Sequence, residues 1–214
     1  METGKIKIKT VLVSLAAIVV IEVVAGLAAS GGADNLLFLL GVARVLETIF
    51  IVLTVLILEG GVSSVGLSIS GVIFGLKRGL IWSVGFGIIV LLVSAALFVF
   101  GINPIALIHT RLPAGQGEIA LFFLVGGIVS PVAEEVFFRG VIYGFFRRWG
   151  VFVAVTLSTL AFVLVHPAGA GIPLPQITGG VLFAVAYEKE RNLLVPITIH
   201  ILGNMAIFGL SLMS

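Results

Sequence analysis

Apolar residues run through this chain in blocks, not in alternation with polar ones. Seven stretches, at roughly 10–29, 35–58, 79–100, 118–146, 151–166, 175–187 and 193–213, are apolar over most of their length. Blocks of about 20 such residues predict membrane-spanning helices. The fifth and sixth are shorter and predict tilted, partial or re-entrant elements. Between the second and third, "EGGVSSVGLSISGVIFGLKRG" is rich in Gly and Ser and is expected at the membrane interface. "GINPIALIHTRLPAGQG" and "HPAGAGIPLP" read as turn-rich breaks. The pattern predicts an all-α, polytopic transmembrane bundle of about seven spans (six to eight), forming a single membrane domain over residues 1–214. It shows neither a repeat of fixed period nor a low-complexity tail.

Composition strengthens this picture. The chain is 60% hydrophobic and 10% charged, with a mean hydropathy of +1.31, whereas soluble domains carry about 25% charged residues. A water-soluble globule of 214 residues could not hide so much apolar surface. The sequence has no cysteine, which excludes disulfides and thiolate chemistry. Net charge is +2, but the basic residues flank the apolar blocks, so they carry topology and no nucleic-acid footprint. Lys5, Lys7, Lys9, Lys77, Arg78, Arg147, Arg148, Lys189 and Arg191 share one side of a seven-span arrangement, and Arg111 lies opposite. The positive-inside rule then puts the N-terminus in the cytoplasm and the C-terminus outside, in the cell membrane if the source is prokaryotic. The lysines before the first block mimic a signal peptide. The block itself, about 20 residues, exceeds a 7–15-residue signal core and reads as an uncleaved helix.

Against this background the ionisable residues inside the spans stand out, since each costs about 2.5–3.5 kcal/mol at a helix centre. "SPVAEEVFFRGVIYGFFRRWG" places Glu134, Glu135 and Arg139 in one span. Glu135 and Arg139 are four apart, about 40° around a helix, and can pair; Glu134, about 140° from Arg139, cannot share that pairing. A buried carboxylate without a counter-ion has the profile of a general base or a metal ligand. Pro131 removes a hydrogen bond to Gly127 and is expected to kink the helix just before the glutamates. "FVLVHP" sets Phe162 and His166 four apart, and "ITIHILGNM" sets His200 and Asn204 on one helical face. Taken singly, these residues read as ion pairs or interhelical glue. Arg44 and Glu47 read as such a pair, which Glu22 can join. Glu188 to Arg191 read as a solvated turn, and "FFRGVIYGFFRRW" as lipid packing with an aromatic belt at Trp149. The coincidence of three polar faces in the C-terminal half is what the bland reading leaves unexplained.

"EEVFFR", "FVLVH" and "HILGN" resemble the EExxxR, FxxxH and HxxxN motifs of the CPBP family, the CAAX proteases and bacteriocin-processing (Abi) membrane proteins. The resemblance covers about 118–206, a catalytic core, while residues 1–117 carry no motif. It implies a glutamate-type intramembrane endopeptidase acting near the C-terminus of a protein or peptide, prenylated or not. In that picture Glu134 with His166 activates a water, His200 and Asn204 form the oxyanion hole, and Glu135 with Arg139 holds the first motif in place. No cofactor is implied for that mechanism, although some members are described as metalloproteases and Glu134, His166 and His200 could hold zinc. The other partners implied are membrane lipid and the substrate; nucleic acid is not among them. Two further readings compete: a non-proteolytic scaffold or immunity protein that keeps these residues as buried glue, and a small transporter. The absence of an inverted repeat speaks against the transporter. Helical arithmetic from the nearest basic ends places Glu134 roughly 20 Å deep, His166 roughly 24 Å and His200 roughly 13 Å, and catalysis requires them to meet.

Overall fold

The computed structural model describes residues 6–32, 35–166 and 173–213. Lys5, Pro167 and most of the "HPAGAGIPLP" break lie outside the described residues. Among those described, every regular element is a helix: α1 (Ile8–Ser30), α2 (Leu36–Leu58), α3 (Val72–Val99), the short α4 (Ile105–Ile108), α5 (Gln116–Trp149), α6 (Val151–Leu164), α7 (Leu174–Glu190) and α8 (Leu194–Met213). Five are long and apolar enough to cross a membrane: α1, α2, α3 with the turns before it, α5 and α8. The expected fifth and sixth spans are the 14-residue α6 and the 17-residue α7. At about 1.5 Å per residue both fall short of a hydrocarbon core of about 30 Å.

One boundary and one local geometry differ from the sequence expectation. The Gly/Ser-rich stretch folds as two 3-10 turns, Val62–Val65 and Ile69–Gly71, and α3 starts directly after them, at Val72 rather than near 79. The reason is packing: Gly75 and Gly79 give α3 a flat face against the start of α8. A β-carbon on Gly79 would stand 2.5 Å from the Thr198 β-carbon. Small residues let membrane helices approach this closely. Gly79→Val should therefore push α3 off α8 and lower the thermal midpoint in detergent by several degrees, while the exposed Gly85→Val, with nothing near its β-carbon, should not.

The second difference lies in α5. Pro131 does not break it. The helix instead widens into π-helical turns over Val125–Val129 and again over Val136–Tyr143, with Ser130–Glu135 regular between them. Ser130 N–H bonds the Val125 carbonyl, five residues back. The next bond in that register would run from residue 131 to Gly126, and proline has no N–H to give. Wide turns of this kind are rare and recur at functional sites.

One end of the bundle is a belt of charges tying the helices together. Arg147 donates from Nε and Nη2 to Glu188 at 2.9 Å each, and Tyr143 Oη donates to the same carboxylate at 2.5 Å. Arg78 and Trp82 of α3 donate to Glu190, at 2.6–2.9 Å. Lys7 and Thr10 donate to Glu59, and Arg148 to the Ile6 carbonyl. Glu188 and Glu190 are thus interhelical partners, not a solvated turn, because arginines from α5 and α3 converge on them. Likewise Phe138 and Tyr143 are buried in the core while Trp149 is exposed, so only the end of that aromatic stretch forms a belt. Partial burial alone would push Glu188 up, but the hydrogen bonds from Arg147 and Tyr143 and the nearby Arg191 hold its carboxyl below the ordinary 4.5. A depressed folded value stabilises the fold at neutral pH and is lost as pH falls below about 4.5. Glu188→Gln should flatten the acid limb of a melting-point-against-pH curve between pH 5 and about 3 and lower the neutral plateau.

Candidate active site

Glu135 and Arg139 are fully buried and joined at 2.9 Å, as their spacing predicts. Arg139 also donates from Nη2 to the Gly180 carbonyl at 3.2 Å, and its guanidinium lies over the rings of Phe162 at 4.6 Å and Phe183 at 5.2 Å. α7 comes close enough for this because Gly180 faces Thr159 of α6, whose methyl would stand 2.7 Å from a β-carbon there. The cation is therefore enclosed by a carboxylate, a carbonyl and two aromatic faces, which is what makes it tolerable in a membrane core.

Glu135 Oε1 accepts a second bond, from His200 Nδ1 at 2.8 Å. The Nδ1–H of His200 is fixed by that acceptor, so its Nε2 points the other way, to Glu134 Oε2 at 3.8 Å. His166 repeats the arrangement from α6. Its Nδ1 lies 2.7 Å from the Phe162 carbonyl, which can only accept, and its Nε2 faces the same Glu134 oxygen at 3.5 Å. Both imidazoles thus turn Nε2 to one carboxylate oxygen that is buried and has no hydrogen-bond partner of its own. Phe183 stacks on His200 at 4.6 Å and Phe162 packs against His166 at 4.4 Å, fixing both rings.

Asn204, one turn beyond His200, donates from Nδ2 to the Gly126 carbonyl at 2.9 Å. That carbonyl is the one Pro131 leaves without a main-chain donor. Gly126 and Gly127 let α8 in: β-carbons there would meet Phe208 at 3.3 Å and Met205 at 2.7 Å. An amide carries two N–H groups, so Asn204 has a second donor beyond the one spent on α5.

The depths expected from the sequence differ by up to roughly 11 Å, yet Glu134, His166 and His200 meet. The counting began at the wrong level. The turn between α7 and α8 sits level with Gly140 to Tyr143: a β-carbon on Gly140 would stand 3.6 Å from Leu193 of the turn and Tyr143 bonds Glu188, which the longer Arg147 side chain reaches from one turn further on. From Tyr143 to Glu134 and from Arg191 to His200 are both nine residues, roughly 13 Å. α5 runs on about six residues past that level before α6 turns back, which removes roughly 9 Å from the depth of His166.

The sequence reading placed Glu134, Glu135, Arg139, His166, His200 and Asn204 on three helices; the structure links the first five through one chain of contacts, while Asn204, one turn beyond His200, is bonded to the Gly126 carbonyl instead. It did not identify Phe183 or the Gly180 carbonyl, although both lie in "GGVLFAVAY", nor that Arg44 of α2 is near enough for its charge to act on Glu134 and His166. The Glu22–Arg44–Glu47 cluster itself forms as expected, at 2.9 and 2.6 Å. Among the described residues, no three of His, Cys, Asp and Glu are grouped as a metal site.

Comparison with known proteins points the same way. Residues 116–206 match the family described as type II CAAX prenyl endopeptidase Rce1-like. The membrane-embedded CAAX protease MroQ of Staphylococcus aureus (strain USA300) is 36% identical over 94 residues, 41% of this chain and 38% of the relative. The putative membrane peptidase YdiL of Bacillus subtilis (strain 168) is 32% identical over 87 residues, 40% of this chain and 35% of the relative. The UPF0177 protein YxdF of Lactococcus lactis subsp. lactis (strain IL1403) is 28% identical over 95 residues, 44% and 51% of the two chains. The aligned part thus spans between about a third and about half of each of these relatives. No solved structure matches the chain. All six residues lie inside the matched segment, on the helices and in the order that the motifs require, and residues 116–206 are similar to the Rce1-like CAAX protease family.

Proposed function

We propose that this protein is an intramembrane endopeptidase that hydrolyses a peptide bond near the C-terminus of a protein or peptide, with Glu134 as the general base. The observation that carries the reading is the single Glu134 oxygen faced by two imidazoles, each locked through Nδ1. A water held between Glu134 Oε2 and His166 Nε2 gives its proton to Glu134 as its oxygen attacks the carbonyl carbon. The carbonyl oxygen becomes an oxyanion, met by the second N–H of Asn204 on α8 and by His200, which donates from Nε2 as the imidazolium because its Nδ1–H is spent on Glu135. Glu134 then passes the proton to the leaving amide nitrogen, the C–N bond breaks, and an acid and an amine depart. Glu135 takes no part in proton transfer; it holds His200 through Nδ1 and Arg139 through Nη1. Prenylated C-termini are the substrate class that the family description suggests, and the basic end of the bundle, cytoplasmic by the positive-inside rule, is the side where such a substrate would be met.

The test is cleavage of a panel of prenylated and unprenylated C-terminal peptides by protein purified in detergent, each with and without a chelator. Cleavage that survives the chelator and disappears in Glu134→Ala supports the reading. Loss on chelation alone would reassign Glu134, His166 and His200 to a metal, a role that imidazoles anchored through Nδ1 also suit. Equal traces for both proteins would favour a scaffold or immunity protein. Asn204→Ala should lower kcat by about 10²–10³-fold with KM changed little, the mark of a donor used mainly in the transition state.

A further inference from the structure

Three ionisable side chains of the N-terminal spans, Glu22, Arg44 and Glu47, lie outside residues 116–206, and the reaction above uses none of them. Arg44 donates from Nη1 to Glu47 at 2.6 Å and pairs through Nη2 with Glu22 of α1 at 2.9 Å. Glu47 is buried one turn along the same helix and is a fixed partner. Glu22 is not: it reaches from another helix and its side chain is 43% exposed. One carboxylate is enough to neutralise an arginine, so Arg44 can keep Glu47 and exchange Glu22 for another carboxylate.

Arg44 stands on a helix packed along the one that carries Glu134. α2 lies along α5, where Gly41 meets Val125. A cavity of about 230 Å³ opens between the two helices, lined by Val45, Thr48, Ile49, Ile128, Val129 and Val132. Neither Arg44 nor Glu134 lines it, since Val45 and Val132 are turned about 100° and about 160° from them around their helices; the cavity runs alongside both. The Arg44 side chain remains 26% exposed.

We propose that Arg44 binds the C-terminal carboxylate of the peptide substrate, and that Glu22 occupies this position in the free protein. The proposal rests on the peptidase reading above. An α-carboxylate carries the same charge and the same pair of oxygens as Glu22, so one can replace the other without leaving the guanidinium unpaired in an apolar setting. The planar fork of an arginine takes a carboxylate through two parallel N–H bonds. The cavity beside it takes the apolar side chains of the last residues. An extended peptide advances at most about 3.5 Å per residue, so a chain end on Arg44 sets the bond facing Glu134 within a few residues of the C-terminus. The product released is a short free-acid peptide.

The experiment compares two peptides of one sequence, ending in a free carboxylate or in an amide, cut by the intact protein in detergent. The free acid should be favoured about 10–100-fold in kcat/KM, the range of a charge-assisted bond. Arg44→Gln should erase that preference. Glu22→Gln, at an exposed position, should enlarge it by lowering KM for the free acid alone. Equal cutting of acid and amide by the unaltered protein overturns the proposal. So does a preference that persists in Arg44→Gln, which would make Arg44 a support of the bundle. Cleavage of neither peptide, or cleavage that does not depend on Glu134, removes the peptidase reading itself, and this proposal with it.

Discussion

Glu134→Gln should leave the protein folded and slow peptide cleavage by about 10²–10⁴-fold, towards the upper end of that range. Glutamine has nearly the same shape, and the group it replaces has no hydrogen bond to lose at Oε2. What disappears is the ability to accept a proton. In the proposed reaction that ability is used twice, once to activate the water and once to supply the leaving nitrogen, so both steps slow together. His166→Ala, which removes only the orientation of the water, should cost less, about 10²-fold. Initial rates on one peptide, beside melting curves of each variant in the same detergent, check both statements. Unchanged cleavage in Glu134→Gln would remove the glutamate from the chemistry.

Arg139→Met is expected to have the largest effect on stability. It strips a fully buried carboxylate of its cation, and breaking such a pair from one side costs about 3–5 kcal/mol. For a domain of about 200 residues that is on the order of 10 °C in midpoint. Activity should fall too, because Glu135 would no longer be held where His200 Nδ1 finds it. Removing both charges separates the two effects. Glu135→Leu with Arg139→Met should recover most of the lost stability, since a buried pair is seldom worth more than well-packed apolar side chains. Cleavage should stay low, because His200 then has no acceptor on Nδ1. A double variant as unstable as the single one would show that the enclosure of Arg139 by Phe162, Phe183 and Gly180 outweighs the ion pair itself.

Much of the candidate site was legible before any coordinates. The i, i+4 spacings decide which side chains share a helix face, and so the pairing of Glu135 with Arg139, and the exclusion of Glu134 from it, could be read from the chain alone. The consequence of Pro131 could not. A proline announces a missing hydrogen bond, but whether the helix kinks or widens depends on what can serve the orphaned carbonyl, and that donor, Asn204, is 73 residues further along, counting from 131 to 204. The charged stretch at 188–191 misled for a similar reason: adjacent charges look solvated until arginines from distant helices are seen to face them.

What the sequence determined by itself is everything that local spacing and solvent preference control. Those are the membrane environment, the helical blocks, the faces that carry Glu134, His166 and His200, and the order of the three motifs. What only the tertiary structure decided is depth and company: that the turn between α7 and α8 lies level with Tyr143, that one carboxylate oxygen faces two imidazoles, and that Arg44 stands near them. The division has a physical cause. Backbone hydrogen bonding in a membrane is settled within each helix. The height and rotation of one helix against another are set by contacts between residues far apart in the chain, such as Gly79 on Thr198 or Gly180 on Thr159, and no local pattern encodes those.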